Sequence, residues 1–287
     1  MDDLEKRIPV AVAGVCGRMG RETAVVVLED PAFELVLGLE RAGHPMAGKM
    51  LSLESQTSEG LSGSVKVVTE ESPDLKGARV LVDFSTPEAA AHHCELCAGA
   101  GAAAVIGVTA LSEEQMEKLK KASDKVAVLY SPNMSAGVNL LAGLVAEAAR
   151  RLPAGYDVEI VEAHHRGKLD VPSGTAAMLA GRAAGGRESG ESDIVISRPA
   201  GLGRRKEGEI TVHSIRGGDV PGEHEVKFIG VGETLTISHR AHSRRAFAQG
   251  VPRAIKFVHS AGPGFYTMDD VLDAGRQPTR KGKHEVD

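Results

Sequence analysis

The sequence predicts an α/β protein in two parts, a doubly wound parallel sheet followed by a second α+β domain with a mixed sheet. Three observations lead there. As far as about Tyr130, short continuous apolar runs alternate with helical stretches, as strands buried on both faces of a parallel sheet require. Beyond about Arg151 the grammar changes to strands that succeed one another with few helices between. A glycine-rich turn, Gly14 to Gly20, joins the first apolar run to the first helical stretch.

In the first part, Val10 to Ala13, Glu34 to Leu39, Val80 to Phe84, Ala103 to Ile106 and Val126 to Leu129 read as buried strands. Arg21 to Leu28, Glu88 to Ala98 and Glu113 to Ala122 read as crossover helices, the second opened by Ser85, Thr86 and Pro87 as cap and first-turn residues. Strands alternating with helices in this way make a Rossmann-like domain. After a helix at about Val138 to Arg151, strands are expected at Val158 to Ala163, Ile194 to Ser197, Glu209 to Ile215, Glu223 to Gly230 and Thr234 to His239. One helix, Thr175 to Ala184, is embedded among them, with a loop from Gly185 to Ser192. Helical pattern returns at Arg245 to Phe257, broken near Gly250 and Pro252, and at Met268 to Leu272, so the tail should pack back on the first domain. Gln277 to Asp287 is polar and expected to be disordered. The expected division is residues 1–133 with 246–287 for a dinucleotide and 134–245 for substrate and oligomerisation.

Composition narrows the function. With a net charge of −5 and a pI near 6.1, the 287-residue chain offers no global attraction for nucleic acid or anionic membrane. The longest uncharged run, Val126 to Ala146, is interrupted by Ser131, Pro132, Asn133, Ser135, Gly137 and Asn139, so no membrane span is expected. The charged opening segment lacks the apolar core of an export signal, and three cysteines suit a reducing compartment, which makes the cytoplasm the expected location. His92, His93, Cys94 and Cys97 could suggest a metal, but small thiols packed on a sheet with histidines near the helix surface are the plainer expectation, and no metal is expected.

Gly14, Gly17 and Gly20 leave room for a pyrophosphate to approach backbone N–H groups at a helix N-terminus. The spacing is G-x-x-G-x-x-G rather than G-x-G-x-x-G. Glu40 ends the next strand about twenty residues later, where a carboxylate can accept from the adenosine ribose, and Arg41 beside it can pair with a 2′-phosphate. Together they predict use of both NADH and NADPH. Two later strand ends, Gly107 to Thr109 and Ser131 to Met134, point to the same crevice, with Asn133 offering an amide to the nicotinamide end.

The densest polar stretch runs from Glu162 to Ala176 as EAHHRGKLDVPSGTA. His164, His165, Arg166 and Lys168 supply positive charge and exchangeable protons, while Ser173, Gly174 and Thr175 at a helix start offer hydroxyls and amides to a carboxylate. An anionic substrate follows. A paired histidine is often structural, but Lys168 and the helix start in the same loop favour chemistry.

GVCGRMGR, DFSTPEA, SPNMSAGVN and above all EAHHRGKLDVPSGTA resemble the dihydrodipicolinate reductase family, also called 4-hydroxy-tetrahydrodipicolinate reductase, over nearly the whole chain. The resemblance implies NADH- or NADPH-dependent reduction of 4-hydroxy-tetrahydrodipicolinate, by way of dihydrodipicolinate, to tetrahydrodipicolinate in the diaminopimelate route to L-lysine. It also implies a small dicarboxylate substrate and a homotetramer. On matching positions it makes Gly14, Val15, Cys16, Gly17, Arg18 and Met19 the pyrophosphate loop, Glu40 the ribose acceptor and Arg41 the NADPH contact. Gly107, Val108 and Thr109, with Ser131, Pro132, Asn133 and Met134, flank the nicotinamide. His164 takes the proton donor/acceptor position, Lys168 the proton-donor position, and His165, Gly174 and Thr175 the substrate-carboxylate positions. The sequence departs from the family pattern at Cys16, where glycine is usual, and at Val108 and Ala110, in a segment commonly G-T-T-G. Another oxidoreductase of this architecture and a non-enzymatic NAD(P)H sensor are the competing readings.

Overall fold

The computed structural model describes residues 7–55, 60–69, 75, 77–187 and 194–274. The tail from Gln277 and residues 188–192 of the expected loop lie outside them.

The first part runs β1 (Ile8–Ala13), α1 (Arg18–Glu29), β2 (Phe33–Glu40), β3 (Met50–Glu54), β4 (Ser62–Thr69), β5 (Val80–Asp83), α2 (Pro87–Ala100), β6 (Ala103–Ile106), α3 (Glu113–Ser123) and β7 (Ala127–Tyr130). Its sheet has the order β13-β7-β6-β5-β1-β2-β4-β3, where β13 is Gly264–Tyr266 from near the end of the chain. Every described pairing in it is parallel except that of β3 with β4. Chain order reverses between β1 and β5, which opens the crevice where doubly wound sheets bind ligands. The strands read from continuous apolar runs are all present, because β1, β5 and β6 are buried on both faces.

Strands β3, β4 and β13 were not expected. Leu51 and Leu53 of β3 are buried while Met50, Ser52 and Glu54 are exposed, so this strand alternates at the sheet edge instead of forming an apolar run. β13 has only three residues and gains strand geometry by pairing with β7.

A long helix, α4 (Ala136–Arg151), capped by Ser135, leads into the second part. There β8 (Asp157–His164), α5 (Gly174–Gly186), β9 (Ile194–Ile196), β10 (Ile210–Arg216), β11 (Glu223–Ile229) and β12 (Thr234–Arg240) build a mixed sheet of order β12-β11-β8-β10-β9. β9, β10 and β8 run parallel, and β11 is antiparallel to both β8 and β12. Helix α5 extends to Gly186, so Gly185 and Gly186 are helical instead of opening the expected loop. Val158, Ile160, Val212, Val226 and Phe228 on one face of the sheet pack with Leu141, Val145, Leu179 and Ala183 of α4 and α5.

Short α6 (Arg245–Ala248) and longer α7 (Val251–Ser260) then separate at Gly250, before a final helix, α8 (Met268–Ala274). A Cβ on Gly250 would lie 1.7 Å from the Met134 carbonyl oxygen, and Pro252 sits in the first turn of α7, where its missing N–H costs nothing. Val251, Ala254, Ile255 and Val258 of α7 share a core with β1, β5 and β7. The tail thereby returns to the first sheet.

Candidate active site

The turn after β1 explains its glycines. Gly14 has φ +68°, and a Cβ there would lie 3.0 Å from the Phe84 carbonyl oxygen and the Ser85 Cα. A Cβ on Gly20 would lie 2.0 Å from the Gly14 carbonyl oxygen, so α1 packs against its own entry turn only with glycine there. The Cys16 N–H donates to Glu40 Oε1 at 2.9 Å, which brings the β2 carboxylate to the rim of the turn. Cys16 therefore keeps a backbone role, and its half-buried thiol has a raised pKa because of burial first and the Glu40 charge second.

Asp83 ends β5 beside this turn and is fully buried. Its Oδ1 accepts from the Ser85 N–H at 2.7 Å and hydroxyl at 2.5 Å, and Oδ2 meets His93 Nδ1 at 2.6 Å. His93 is itself fully buried, which corrects the expectation of surface histidines on α2: only His92 is exposed. Cys94 and Cys97 do pack in the core, and burial raises both thiol pKa values far above the ordinary range. Asp83, backed by His93, holds the Phe84–Ser85 segment against Gly14.

Between the two sheets lies a cavity of about 660 Å³. Arg18, Met19, Gly107, Val108, Thr109, Pro132, Asn133 and Met134 line it from the first part, and His164, His165, Lys168, Gly174 and Thr175 from the second. Ala110, also in the lining, holds φ +60°, which shows why glycine is the natural residue at that point. Gly14, Val15, Cys16, Gly17, Glu40, Arg41 and Ser131 do not line this cavity. The first six belong to the glycine turn and the end of β2. Ser131 is buried, with its hydroxyl donating to the Asn133 carbonyl oxygen.

Chemistry concentrates at the end of β8. His164 Nδ1 lies 2.5 Å from Glu162 Oε2, and Glu162 also accepts both Arg216 terminal nitrogens at 2.8 Å and the Ser173 N–H at 3.2 Å. Burial opposes ionisation of Glu162, but Arg216 and the other donors, His164 among them, outweigh it and hold its pKa down to about 2. With Glu162 ionised, Nδ1 of His164 carries the proton and Nε2 is left to exchange one. A Cβ on Gly222 would come within 3.1 Å of that Nε2, so glycine keeps its surroundings open. Burial lowers the His164 pKa, with Lys168 and Arg216 adding to the effect and Glu162 opposing it. Lys168 pairs with Asp170 at 2.9 Å and is one-quarter exposed. Beneath His164, His224 packs edge-on with ring centroids 5.2 Å apart, and burial followed by the His164 charge pushes its pKa down to about 3.

Helix α5 starts one residue earlier than expected, at Gly174, with Ser173 as its cap. The Ser173 hydroxyl accepts from the Ala176 N–H and meets His224 Nε2, and its N–H goes to Glu162, so Ser173 is committed first to capping and to the Glu162–His224 wall. Gly174 and Thr175 supply the next N–H groups of the first turn, on the cavity wall. Asn133 Nδ2 donates to Thr175 Oγ1 at 3.0 Å and its Oδ1 accepts from the Ser135 N–H, so in this state the amide bridges the two parts of the site.

Sequence reasoning missed Arg216, which reaches Glu162 because β10 pairs beside β8 with Arg216 opposite His164. It also missed Arg244, Phe247 and Pro221 in the cavity wall. Lone residues in the stretches between and after the strands carry no local signal of this role.

Residues 8–134 match the family model for the N-terminus of dihydrodipicolinate reductase, and residues 137–272 match that for its C-terminus. The chain is 46% identical over 267 residues to 4-hydroxy-tetrahydrodipicolinate reductase of Rubrobacter xylanophilus, covering 93% of this chain and 99% of the relative. It is 43% identical to the enzyme of the same name from Thiobacillus denitrificans, covering 92% of this chain and 98% of the other. Among solved structures, a dipicolinate-bound dihydrodipicolinate reductase from Paenisporosarcina sp. TG-14 superposes with a TM-score of 0.69 at 26% identity, over 91% of this chain and 97% of that one. With both halves matched and the relatives aligned nearly end to end, the chain belongs to the dihydrodipicolinate reductase family.

Proposed function

We propose that the protein reduces 4-hydroxy-tetrahydrodipicolinate, by way of dihydrodipicolinate, to tetrahydrodipicolinate on the diaminopimelate route to lysine, using NADH or NADPH. The observation that carries this reading is the single cavity in which the Gly107–Thr109 and Pro132–Met134 walls face His164, His165, Lys168, Gly174 and Thr175. Residues 1–133 with 246–287 serve the dinucleotide, and 134–245 serve substrate and subunit contacts. A nicotinamide dinucleotide fits the residues present: close packing at Gly14 and Gly20 fixes the turn, α1 begins after Gly17 with no side-chain cap on its first N–H groups, which can meet a pyrophosphate, and Glu40 reaches that turn. Glu40 Oε2 is free of the Cys16 contact for a ribose hydroxyl, and exposed Arg41 suits a 2′-phosphate, which supports use of both cofactors.

When bound, the reduced nicotinamide supplies a hydride. The chain does the rest. His165 and the first-turn N–H groups of Gly174 and Thr175 orient a substrate carboxylate. His164, kept in one tautomer by Glu162, and Lys168, held at the cavity by Asp170, give and take the protons that balance the reduction. The substrate is thus a small dicarboxylate. The homotetramer implied by the resemblance would use the sheet face turned away from α4 and α5, where Ile215 and Ile229 are exposed. No described helix is long and apolar enough to cross a membrane, in keeping with the cytoplasm as its location.

The test is loss of reduced-nicotinamide absorbance, with each cofactor separately, on freshly condensed aspartate semialdehyde and pyruvate. Turnover with both is expected. Cofactor binding without turnover, beside an active control reductase, would overturn the substrate assignment.

A further inference from the structure

Cys16, Glu40 and His44 meet at the outer end of the glycine turn, with candidate ligand atoms within 4.8 Å of one another. We propose that these three side chains form a site for a soft divalent cation of the zinc type, and that the cation and the adenosine end of the dinucleotide exclude each other there. The exclusion rests on the ribose role proposed above for Glu40; the metal site itself does not.

A thiolate, a carboxylate and an imidazole are three of the ordinary zinc ligands, and together they leave a fourth position for water. Ligand atoms on a tetrahedral zinc stand roughly 3.5 Å apart, so the trio must contract by about 1 Å. Two of the three are already positioned. Cys16 lies on a turn fixed by glycine packing, and its N–H anchors Glu40 through Oε1, leaving Oε2 to a ligand. His44 lies on the short turn after β2, where its own N–H bonds the Arg41 carbonyl oxygen, and it is the element that can move inward. Its Nδ1 accepts from the Met46 N–H at 3.2 Å. Coordination through Nε2 transfers the ring proton to Nδ1 and gives up only that one exchangeable bond. The Cys16 proton leaves to solvent as the metal–sulfur bond forms, so uptake tightens as pH rises. A dinucleotide ribose and a cation both require the same Glu40 oxygen, and Cys16 stands beside it. Neither can be accommodated while the other is present.

Co²⁺ titrated into the full chain without dinucleotide provides a direct readout, because thiolate-to-cobalt charge transfer absorbs in the near ultraviolet. The expected result is a saturable band that Zn²⁺ removes, that is absent in Cys16→Ser, and that needs roughly tenfold more Co²⁺ in His44→Gln. Cys94 and Cys97 are fully buried and do not substitute. NAD⁺, which carries the same adenosine ribose and is transparent in that range, should bleach the band, and Zn²⁺ should raise the apparent KM for NADH without lowering kcat in the parent, with at least a roughly tenfold weaker effect in His44→Gln. No band, or one that survives Cys16→Ser, overturns the metal site; a band that NAD⁺ leaves untouched overturns the exclusion. Were the reductase assay silent while the band formed, the reaction proposed above would fail and the metal site would stand.

Discussion

Each half of the molecule places a carboxylate–histidine pair at the carboxyl end of a central strand, and the two pairs do different work. Asp83 and His93, after β5, are both fully buried, and the carboxylate spends its remaining capacity on the Ser85 turn. Glu162 and His164, in the last residues of β8, share nearly the same separation, yet His164 faces the cavity while Arg216 neutralises the carboxylate behind it. Similar local chemistry thus holds a loop in one case and, in the function proposed above, poises a proton in the other. Access to a cavity decides between them, since a group sealed from substrate cannot exchange a proton with it.

Substitution of the histidines is the sharpest way to break that contrast. His164→Ala and Lys168→Ala should each lower kcat by about 10² to 10⁴-fold, with dinucleotide binding retained, as steady-state kinetics beside a binding titration would show. His93→Ala should do the reverse. It strands a buried Asp83 carboxylate at a cost of about 3–5 kcal/mol, visible as a shifted urea midpoint, while turnover per folded molecule stays within a few-fold of the parent. Equal losses of turnover in His93→Ala and His164→Ala, with unchanged stability in both, would abolish the distinction.

Acid sharpens it further, because the second pair is surrounded by groups with displaced pKa values. His224 titrates near 3 in the folded protein against an ordinary 6.5, so its contribution to stability is complete above 6.5 and is lost as pH falls toward 3. Glu162, lowered from 4.5 to about 2, adds a further loss below 4.5. Urea unfolding from pH 7 to pH 4 should therefore show falling stability, and His224→Gln should flatten the fall; an unaltered slope would remove His224 as its source.

Smaller effects belong to the cofactor half. Arg41→Ala should raise the KM for NADPH by about tenfold and leave that for NADH nearly unchanged, since only one cofactor carries the 2′-phosphate. Equal changes for both would deny Arg41 that role. Ala110→Gly should raise the thermal midpoint slightly, by relieving about 1 kcal/mol of left-handed strain at φ +60°.

What could be read in advance followed the range of the forces involved. Uninterrupted apolar runs located the strands of the parallel sheet, and glycine spacing located the turn after β1, because both signals lie within a few residues. The edge strand β3, its neighbour β4 and the three-residue β13 escaped, since each gains its identity from the strand beside it. His164, Lys168, Gly174 and Thr175 were legible as one polar loop running into a helix start. Arg216 was not, because the two bonds it makes to Glu162 span 54 residues.

The amino-acid sequence by itself determined which residue types this protein can bring to a reaction, where its chain turns, and that two different sheet grammars follow one another. Only the tertiary structure decided that His93 would be sealed and His164 exposed to a cavity, that Ser173 would be consumed by capping, and that Glu40 would reach Cys16. Those outcomes depend on strand register and on contacts between distant segments, and burial sets the energy of a charge only after those segments have met.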